Sequence, residues 1–273
     1  MLEQMTLFIL IFGCLAAAYF DFKKRVIPNY ITYPMIIIGL ATSYLTSSIQ
    51  IALIQSAIIL IFGLLFYFTG RLGGGDVKLF LGLALLMPEF KGMPFIMPVV
   101  LISSLLAIII LSGYYAIRIF IDKKIKLKEN VIKITIIIIV FAALAIYFGF
   151  LMIWQASNLI NYLVLMIAFA FGLIFIAFDK EIKKNYFLKK IKINSLEKDE
   201  VIAKEFLKEK EKRLLGGAGI LTEEKISLLK KAKVMEIMVY RNMPAFAPFI
   251  ALAVLLLIIY PDVMLLFFPS WVV

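Results

Sequence analysis

The sequence predicts an all-α integral membrane protein: a polytopic bundle of about eight transmembrane helices with a small cytoplasmic helical segment. Three observations predict it. Of 273 residues, 63% are hydrophobic and only 17% charged, whereas a globular chain carries about 25% charged residues. The apolar residues fall in long runs near the roughly 20 residues a helix needs to cross hydrocarbon. The 29 Lys and Arg gather in alternate connecting segments instead of spreading along the chain.

The apolar runs occupy 5–20, 31–47, 50–70, 76–90, 94–117, 134–153, 159–178 and 246–267. The first carries Glu3 and no positive charge ahead of it, unlike a secretory signal peptide. Cys14 reads as a small apolar residue inside that helix. The fourth run is short, since ten residues, Leu79 to Pro88, separate Lys78 from Glu89. If it merely re-entered, the strongly basic loop from Arg118 to Lys133 would fall outside. A short crossing that starts below the surface is therefore expected, with Gly73-Gly74-Gly75 as irregular backbone lining a wet cavity. Asp76 would then lie slightly inside the membrane boundary.

With the N-terminus outside, segments 21–30, 71–78, 118–133 and 179–243 face the cytoplasm. They hold 28 of the 29 Lys and Arg and leave only Lys91 outside, as the positive-inside rule requires. The net charge of +11 is thus topogenic, with anionic headgroups as its natural counter-surface, and does not point to nucleic acid. The chain divides into an N-terminal membrane region, 1–122, a basic loop with an additional transmembrane hairpin, 123–178, a charged cytoplasmic segment, 179–243, and a C-terminal helix, 244–273.

Within the charged segment, Lys180 to Arg213 is crowded with Lys and Glu and reads as one or two solvated helices. Glu205 with Lys208, and Glu209 with Arg213, sit at helical pair spacings. Gly216-Gly217-Ala218-Gly219 breaks the pattern. It is not a phosphate loop, because no Gly-Lys-Ser/Thr follows it. Thr222 reads as the N-cap of a helix beginning Glu223-Glu224-Lys225-Ile226. A small helical subdomain docked at the functional face is the expectation, and no internal repeat is evident.

The chain has no His and one Cys. Ser-His, Cys-His and His-Glu-x-x-His chemistries are excluded, as are a four-ligand Cys/His zinc site and an internal disulfide. Ser103, Ser104 and Ser112 lie within an apolar run, with no lysine at matching depth to activate them. A pair of carboxylates remains. Asp21 ends the run Phe8 to Phe20 and begins Asp-Phe-Lys-Lys-Arg, and Asp76 closes Leu-Gly-Gly-Gly-Asp. An ionisable group near hydrocarbon costs about 2.5–3.5 kcal/mol on insertion scales, which marks it for function. Two carboxylates close together cannot both ionise cheaply and share a proton. The ionised member takes a proton from a water that attacks a peptide carbonyl. The protonated member donates to the carbonyl oxygen and then to the leaving amine. The alternative is two boundary residues that only balance Lys23, Lys24, Arg25 and Lys78.

Asp21-Phe22-Lys23-Lys24-Arg25-Val26-Ile27-Pro28-Asn29 resembles the first aspartate motif of the type IV prepilin peptidases. Gly73-Gly74-Gly75-Asp76-Val77-Lys78 is similar to their Gly-x-Gly-Asp motif with its following lysine, 55 residues on. Asn242-Met243-Pro244-Ala245-Phe246-Ala247-Pro248-Phe249 resembles the proline-rich approach to their last helix. The resemblance covers roughly residues 5–122 and, less tightly, 215–265. It is closest to the archaeal preflagellin and prepilin peptidases, through the Leu221-Thr222-Glu223-Glu224-Lys225-Ile226 segment.

This resemblance implies an aspartic-type endopeptidase with Asp21 and Asp76 catalytic, supported by Gly73, Gly75, Lys78 and Pro244. It implies no cofactor and no metal, because the chain lacks the four-Cys zinc element that often accompanies methylation in bacterial members. The implied partners are pilin-like or flagellin precursors with a short basic leader ahead of a hydrophobic helix, together with membrane lipid. The implied location is the cytoplasmic membrane, with the site facing the cytoplasm. Asp199-Glu200 and Glu223-Glu224 are acidic places where a basic leader could rest. The preflagellin peptidases have six spans, so the hairpin at 134–178 is an addition. Two other readings stay open. One is a presenilin-like intramembrane protease, which shares Gly-x-Gly-Asp. The other is a proton- or cation-coupled transporter with a helix broken at Gly73–Gly75.

Overall fold

The computed structural model describes residues 2–122, 131–155, 159–196, 200–216, 219–232, 234–241 and 243–266. The readings placed on 123–130, Asp199, Gly217, Ala218 and Asn242 lie outside the described residues. Helices form over all eight apolar runs: α1 (Leu2–Lys24), α2 (Asn29–Leu45), α3 (Ile49–Phe68), α4 (Gly74–Leu86), α5 (Ile96–Ile121), α6 (Val131–Gln155), α7 (Leu159–Ala177) and, at the C-terminal end, α11 (Ala247–Ile259). Among the described residues, three stretches are long and apolar enough to cross a membrane alone: Leu2–Lys24, Ile49–Phe68 and Ile96–Ile119. A fourth is Leu163–Ala177 taken with Asp179–Phe187, a pair bent by 67°. The structure therefore supports a helical membrane protein with three or four such spans. Of the other helices over apolar runs, α2, α4 and α11 are shorter, at 17, 13 and 13 residues.

The shortest of them lies at the centre. At 13 residues, α4 is about 20 Å long at 1.5 Å per residue, below the ~30 Å of hydrocarbon. Nine of its 13 residues are buried, because α2 and α3 pack along it and α1 touches it. Glycines allow that approach. A Cβ at Gly39 would lie 2.8 Å from the Leu86 backbone, one at Gly82 would lie 3.0 Å from Met35, and one at Gly63 would lie 2.7 Å from Val77. Small residues at such crossings let helix backbones close up where lipid offers no hydrophobic drive. Being enclosed by protein, α4 need not span the bilayer alone.

From α1 a second row runs through α11, α5, α7 and α6. The main core joins Leu10, Cys14 and Ala17 of α1 to Leu79 and Leu83 of α4, Val99 of α5 and Ile250 of α11. The additional hairpin, α6 and α7, attaches through α7 to α5, where Gly113 faces Phe171 and Gly172 faces Ile108. Between α4 and α5, β1 (Glu89–Phe90) and β2 (Met93–Pro94) form a small hairpin. Its turn uses positive φ at Lys91 and Gly92. Gln55 Nε2 holds the approach to it by donating to Pro88 O at 2.7 Å.

The segment after α7 corrects the expectation of a purely helical subdomain. A short helix, α8 (Asp179–Ile182), and a π turn over Lys183–Phe187 lead into β3 (Leu188–Lys192). β4 (Val201–Ile202), α9 (Glu209–Leu215), α10 (Glu223–Lys231) and β5 (Glu236–Tyr240) follow. The strands make a three-stranded antiparallel sheet in the order β3-β5-β4. Ile191, Ile202, Ile237 and Val239 of the sheet bury against Leu215 of α9, Leu229 of α10 and Leu221 just ahead of α10. In β5, alternate burial of Ile237 and Val239 is the period of two that a one-sided strand requires.

Thr222 caps α10 as expected, its Oγ1 accepting from Lys225 N at 3.4 Å. The ion pairing differs from the spacing argument, because residues 204–206 form only a single 3-10 turn and α9 begins at Glu209. Glu205 meets Lys183 at 3.4 Å and Glu209 meets Lys212 at 2.8 Å. At the junction with the membrane region, Tyr186 donates to Asp122 Oδ2 at 2.8 Å.

Candidate active site

Three helix termini meet at one end of the bundle. The first is the C-terminal end of α1. Asp21 sits on its last full turn and is 8% exposed. Arg25, at φ +58, closes the helix with its N–H on Asp21 O at 2.8 Å. Pro28 then starts α2 from an extended conformation.

The second terminus is the start of α11. The first N–H groups of a helix have no partner within it. Here two of them find one 225 or more residues away in sequence: Phe246 N donates to Asp21 Oδ2 at 2.9 Å and Ala247 N donates to the same oxygen at 3.0 Å. Asp21 thus caps the last helix, and its negative charge sits at the favourable end of that helix dipole. Pro244 is half-buried in the non-helical approach, two residues before Phe246.

The third terminus is the start of α4. Gly73 is its N-cap, at φ −74 and ψ 144. Asp76, three residues on, turns back so that Oδ2 accepts from Gly73 N at 3.2 Å. Its other oxygen, Oδ1, is buried with no hydrogen-bond partner. Native structures leave few buried polar atoms unpartnered, and one on a carboxylate needs an explanation. Asp76 is also 8% exposed, and the charge of Asp21 acts on it.

The expectation of irregular backbone at Gly73–Gly75 is corrected by this geometry. Gly74 and Gly75 belong to the first turn of α4, and neither has positive φ. The physical reason for glycine is close approach. A Cβ at Gly75 would lie 2.9 Å from Ile27 Cβ, and one at Gly73 would lie 2.8 Å from Asp76 Oδ2. A bulkier residue at 75 would push away the α1–α2 turn, and one at 73 would strike the carboxylate.

Two further contacts tie the motifs together. Lys78 Nζ donates to Asn29 Oδ1 at 2.8 Å and lies 5.1 Å from the centre of the Tyr33 ring. The Phe80 and Phe246 rings are 6.2 Å apart, linking the helix that carries Asp76 to the residue whose amide holds Asp21. The structure therefore brings Asp21, Asp76, Gly73, Gly75 and Lys78 to one place, with Pro244 on the chain leading into it. The Phe246 and Ala247 amides were not legible as site groups, because a backbone donor leaves no mark in sequence.

The suggested acidic resting places fare unequally. Glu200 is engaged by Arg241 at 2.6 Å, whereas Glu223 and Glu224 are exposed on the first turn of α10. Ser103 Oγ donates to Val100 O at 3.2 Å and Ser112 Oγ to Ile108 O. Both hydroxyls are spent on their own helix.

Compared with known proteins, residues 8–112 match the type IV leader peptidase family. Both aspartates and the Lys78–Asn29 pair lie inside that stretch, and the α11 amides lie outside it. Over 94 residues the chain is 34% identical to "Prepilin peptidase EppA" of Methanothermobacter thermautotrophicus, an alignment covering 32% of this chain and 24% of that protein. The chain spans about a quarter of the length of that curated relative. No solved structure matches.

Proposed function

We propose, from a chain similar to the type IV leader peptidases over residues 8–112, that this protein is a membrane-embedded aspartic endopeptidase. It removes the short basic leader from type IV pilin-like or archaeal flagellin precursors at the cytoplasmic membrane face. The observation that carries the reading is the buried, unpartnered Oδ1 of Asp76, at the end of the bundle where Asp21 caps α11. A carboxylate oxygen left without a protein donor is available to a water or a scissile carbonyl.

In this reading the two carboxylates hold one proton between them. The ionised one accepts a proton from water as the water oxygen bonds to the peptide carbon. The protonated one donates to the carbonyl oxygen, and collapse of the tetrahedral intermediate passes a proton to the departing amine. Chemistry by carboxylates and water needs no metal. The topology that goes with it is eight crossings with the N-terminus outside, so that the Lys- and Arg-rich connections and the sheet domain are cytoplasmic. The short helices α4 and α11 cross within protein surroundings.

The test is direct. The purified chain in detergent is mixed with a precursor bearing a basic leader and a hydrophobic helix, and the product is sequenced from its new N-terminus. Cleavage between leader and helix supports the proposal. Cleavage several residues inside the helix favours the presenilin-like reading. No cleavage, together with proton or cation flux in vesicles, favours a transporter.

A further inference from the structure

The sheet domain is fastened to the segment that leads into the helix of Asp76 and continues into the segment whose amides hold Asp21. On the Asp76 side, Gly219 lies so close to the end of α3 that a Cβ there would be 2.6 Å from Thr69 C and 2.7 Å from Phe68 O. Next to it, Gly70 has φ +74, and a Cβ there would lie 2.9 Å from Val201 Cγ1. Gly70 is three residues before Gly73, whose N–H holds Asp76. On the Asp21 side, Val201 pairs directly with Tyr240 across β4 and β5. From Tyr240 the chain runs six residues to Phe246, whose N–H holds Asp21.

The strap between these points is stiff. Ile202 N donates to Gly219 O at 2.9 Å, Leu221 N to Glu200 O at 2.9 Å, and Ala203 N to Met238 O at 3.1 Å. Val201 and Ile220 form an antiparallel bridge, so the glycine segment acts as a fourth pairing partner at the sheet edge.

We infer that this domain is a positioning strap that sets the placement of Asp76 relative to Asp21, with Gly219 as its key positioning residue. Gly219 is then explained by backbone-on-backbone contact with the end of α3, not by ligand binding. The kinetic part rests on the reading of Asp21 and Asp76 as the reacting pair, while the mechanical part does not.

The experiment compares wild type with Gly219→Ala, using the full chain in detergent. Amide hydrogen exchange is measured over 73–77 and 244–249. In parallel, kcat and KM are measured on a leader-bearing precursor. The expected result is faster exchange in both segments, with kcat reduced about ten- to a hundredfold, the scale of an ångström-level misplacement, and KM within about twofold. A purely structural role would lower the thermal midpoint and leave kcat per folded molecule unchanged, overturning the inference. Exchange changes confined to 200–203 and 219–221 would also overturn it, as would a raised KM at constant kcat. If Gly219→Ala does not accumulate, Val201→Ala, which removes the contact to Gly70 without inserting an atom, is read in the same way. If wild type cleaves no precursor, the peptidase reading falls and the exchange measurement alone decides the inference.

Discussion

Asp21 caps α11 in this structure, and the proposed function gives it a second, catalytic job that a single substitution can separate from the first. As a cap it needs only an acceptor for Phe246 N and Ala247 N. As a catalyst it needs a titratable proton. Asn supplies the first without the second and is as good an N-cap acceptor as Asp. Asp21→Asn is therefore expected to insert and fold at wild-type level yet lose cleavage. Asp21→Ala loses cleavage and also the cap, at a cost of about 1 kcal/mol, within the 0.5–2 range for such caps. Asp76→Asn is expected to lose cleavage likewise, since members of a coupled pair fail as a unit. Cleavage rates alongside thermal unfolding check all three, and substantial turnover in either Asn variant sinks the dyad. At Gly75 the expectation is steric. A methyl group 2.9 Å from Ile27 Cβ overpacks the α1–α2 turn, so Gly75→Ala should destabilise by about 1–3 kcal/mol and slow turnover. An unshifted melting midpoint and wild-type rate would refute that account.

At the scale of elements, the Lys78–Asn29 hydrogen bond is what joins the start of α2 to α4 beside the site. Lys78→Met and Asn29→Ala should each lower activity, and the double variant should lose less than the sum, as contacting pairs do. Strict additivity in a double-mutant cycle would mean that the contact carries no function. How far such elements were legible follows from their physics. Apolar runs report helices wherever the surroundings are lipid or core, so all eight were located, α4 included. The runs do not report whether a helix crosses unaided, because the enclosure of α4 by α2 and α3 depends on Gly39, Gly63 and Gly82 meeting particular partners. The strand β3 was misread because Leu-Lys-Lys-Ile-Lys has a charge pattern that suits a solvated helix. Its lysines are the charged side chains that protect a sheet edge, and Ile191 is its one buried residue. The candidate site was legible on α1 and α4, where the proposal places side-chain chemistry, and illegible at α11, where backbone amides hold Asp21. The role of Gly73–Gly75 was visible as a need for glycine but not as close packing, since a positive φ and a tight approach look alike in sequence.

At the scale of the whole molecule, the donor inventory and the depth of the site each give a prediction. The chain has no His and one Cys, which is buried. Among the described residues no three His, Cys, Asp or Glu are grouped to hold a metal ion. Cleavage is therefore expected to persist in a strong chelator, and complete inhibition reversed by added metal would contradict the carboxylate mechanism. The depth argument starts from the lysines. Lys23 and Lys24 share the last turn of α1 with Asp21, and Lys23 reaches Tyr19 OH at 3.2 Å along the exposed side of α1. Lys78, two residues from Asp76, is in an exposed hydrogen bond. Ammonium heads near hydrocarbon reach for water or headgroups, so in the proposed topology this end of α1 and α4 lies at the interface. A carboxylate pair so placed can reach a substrate bond at the membrane surface but not one at the bilayer midplane. The expected cut therefore lies within about one helical turn, ~5 Å, of the point where the substrate's basic leader meets its apolar helix. Moving that junction by inserting three leucines after the leader should leave the cut at the junction, with the new leucines on the mature product. If the cut instead stays at a fixed distance from the far end of the helix, the enzyme is reading depth inside the bilayer, and the surface-cleavage mechanism is wrong.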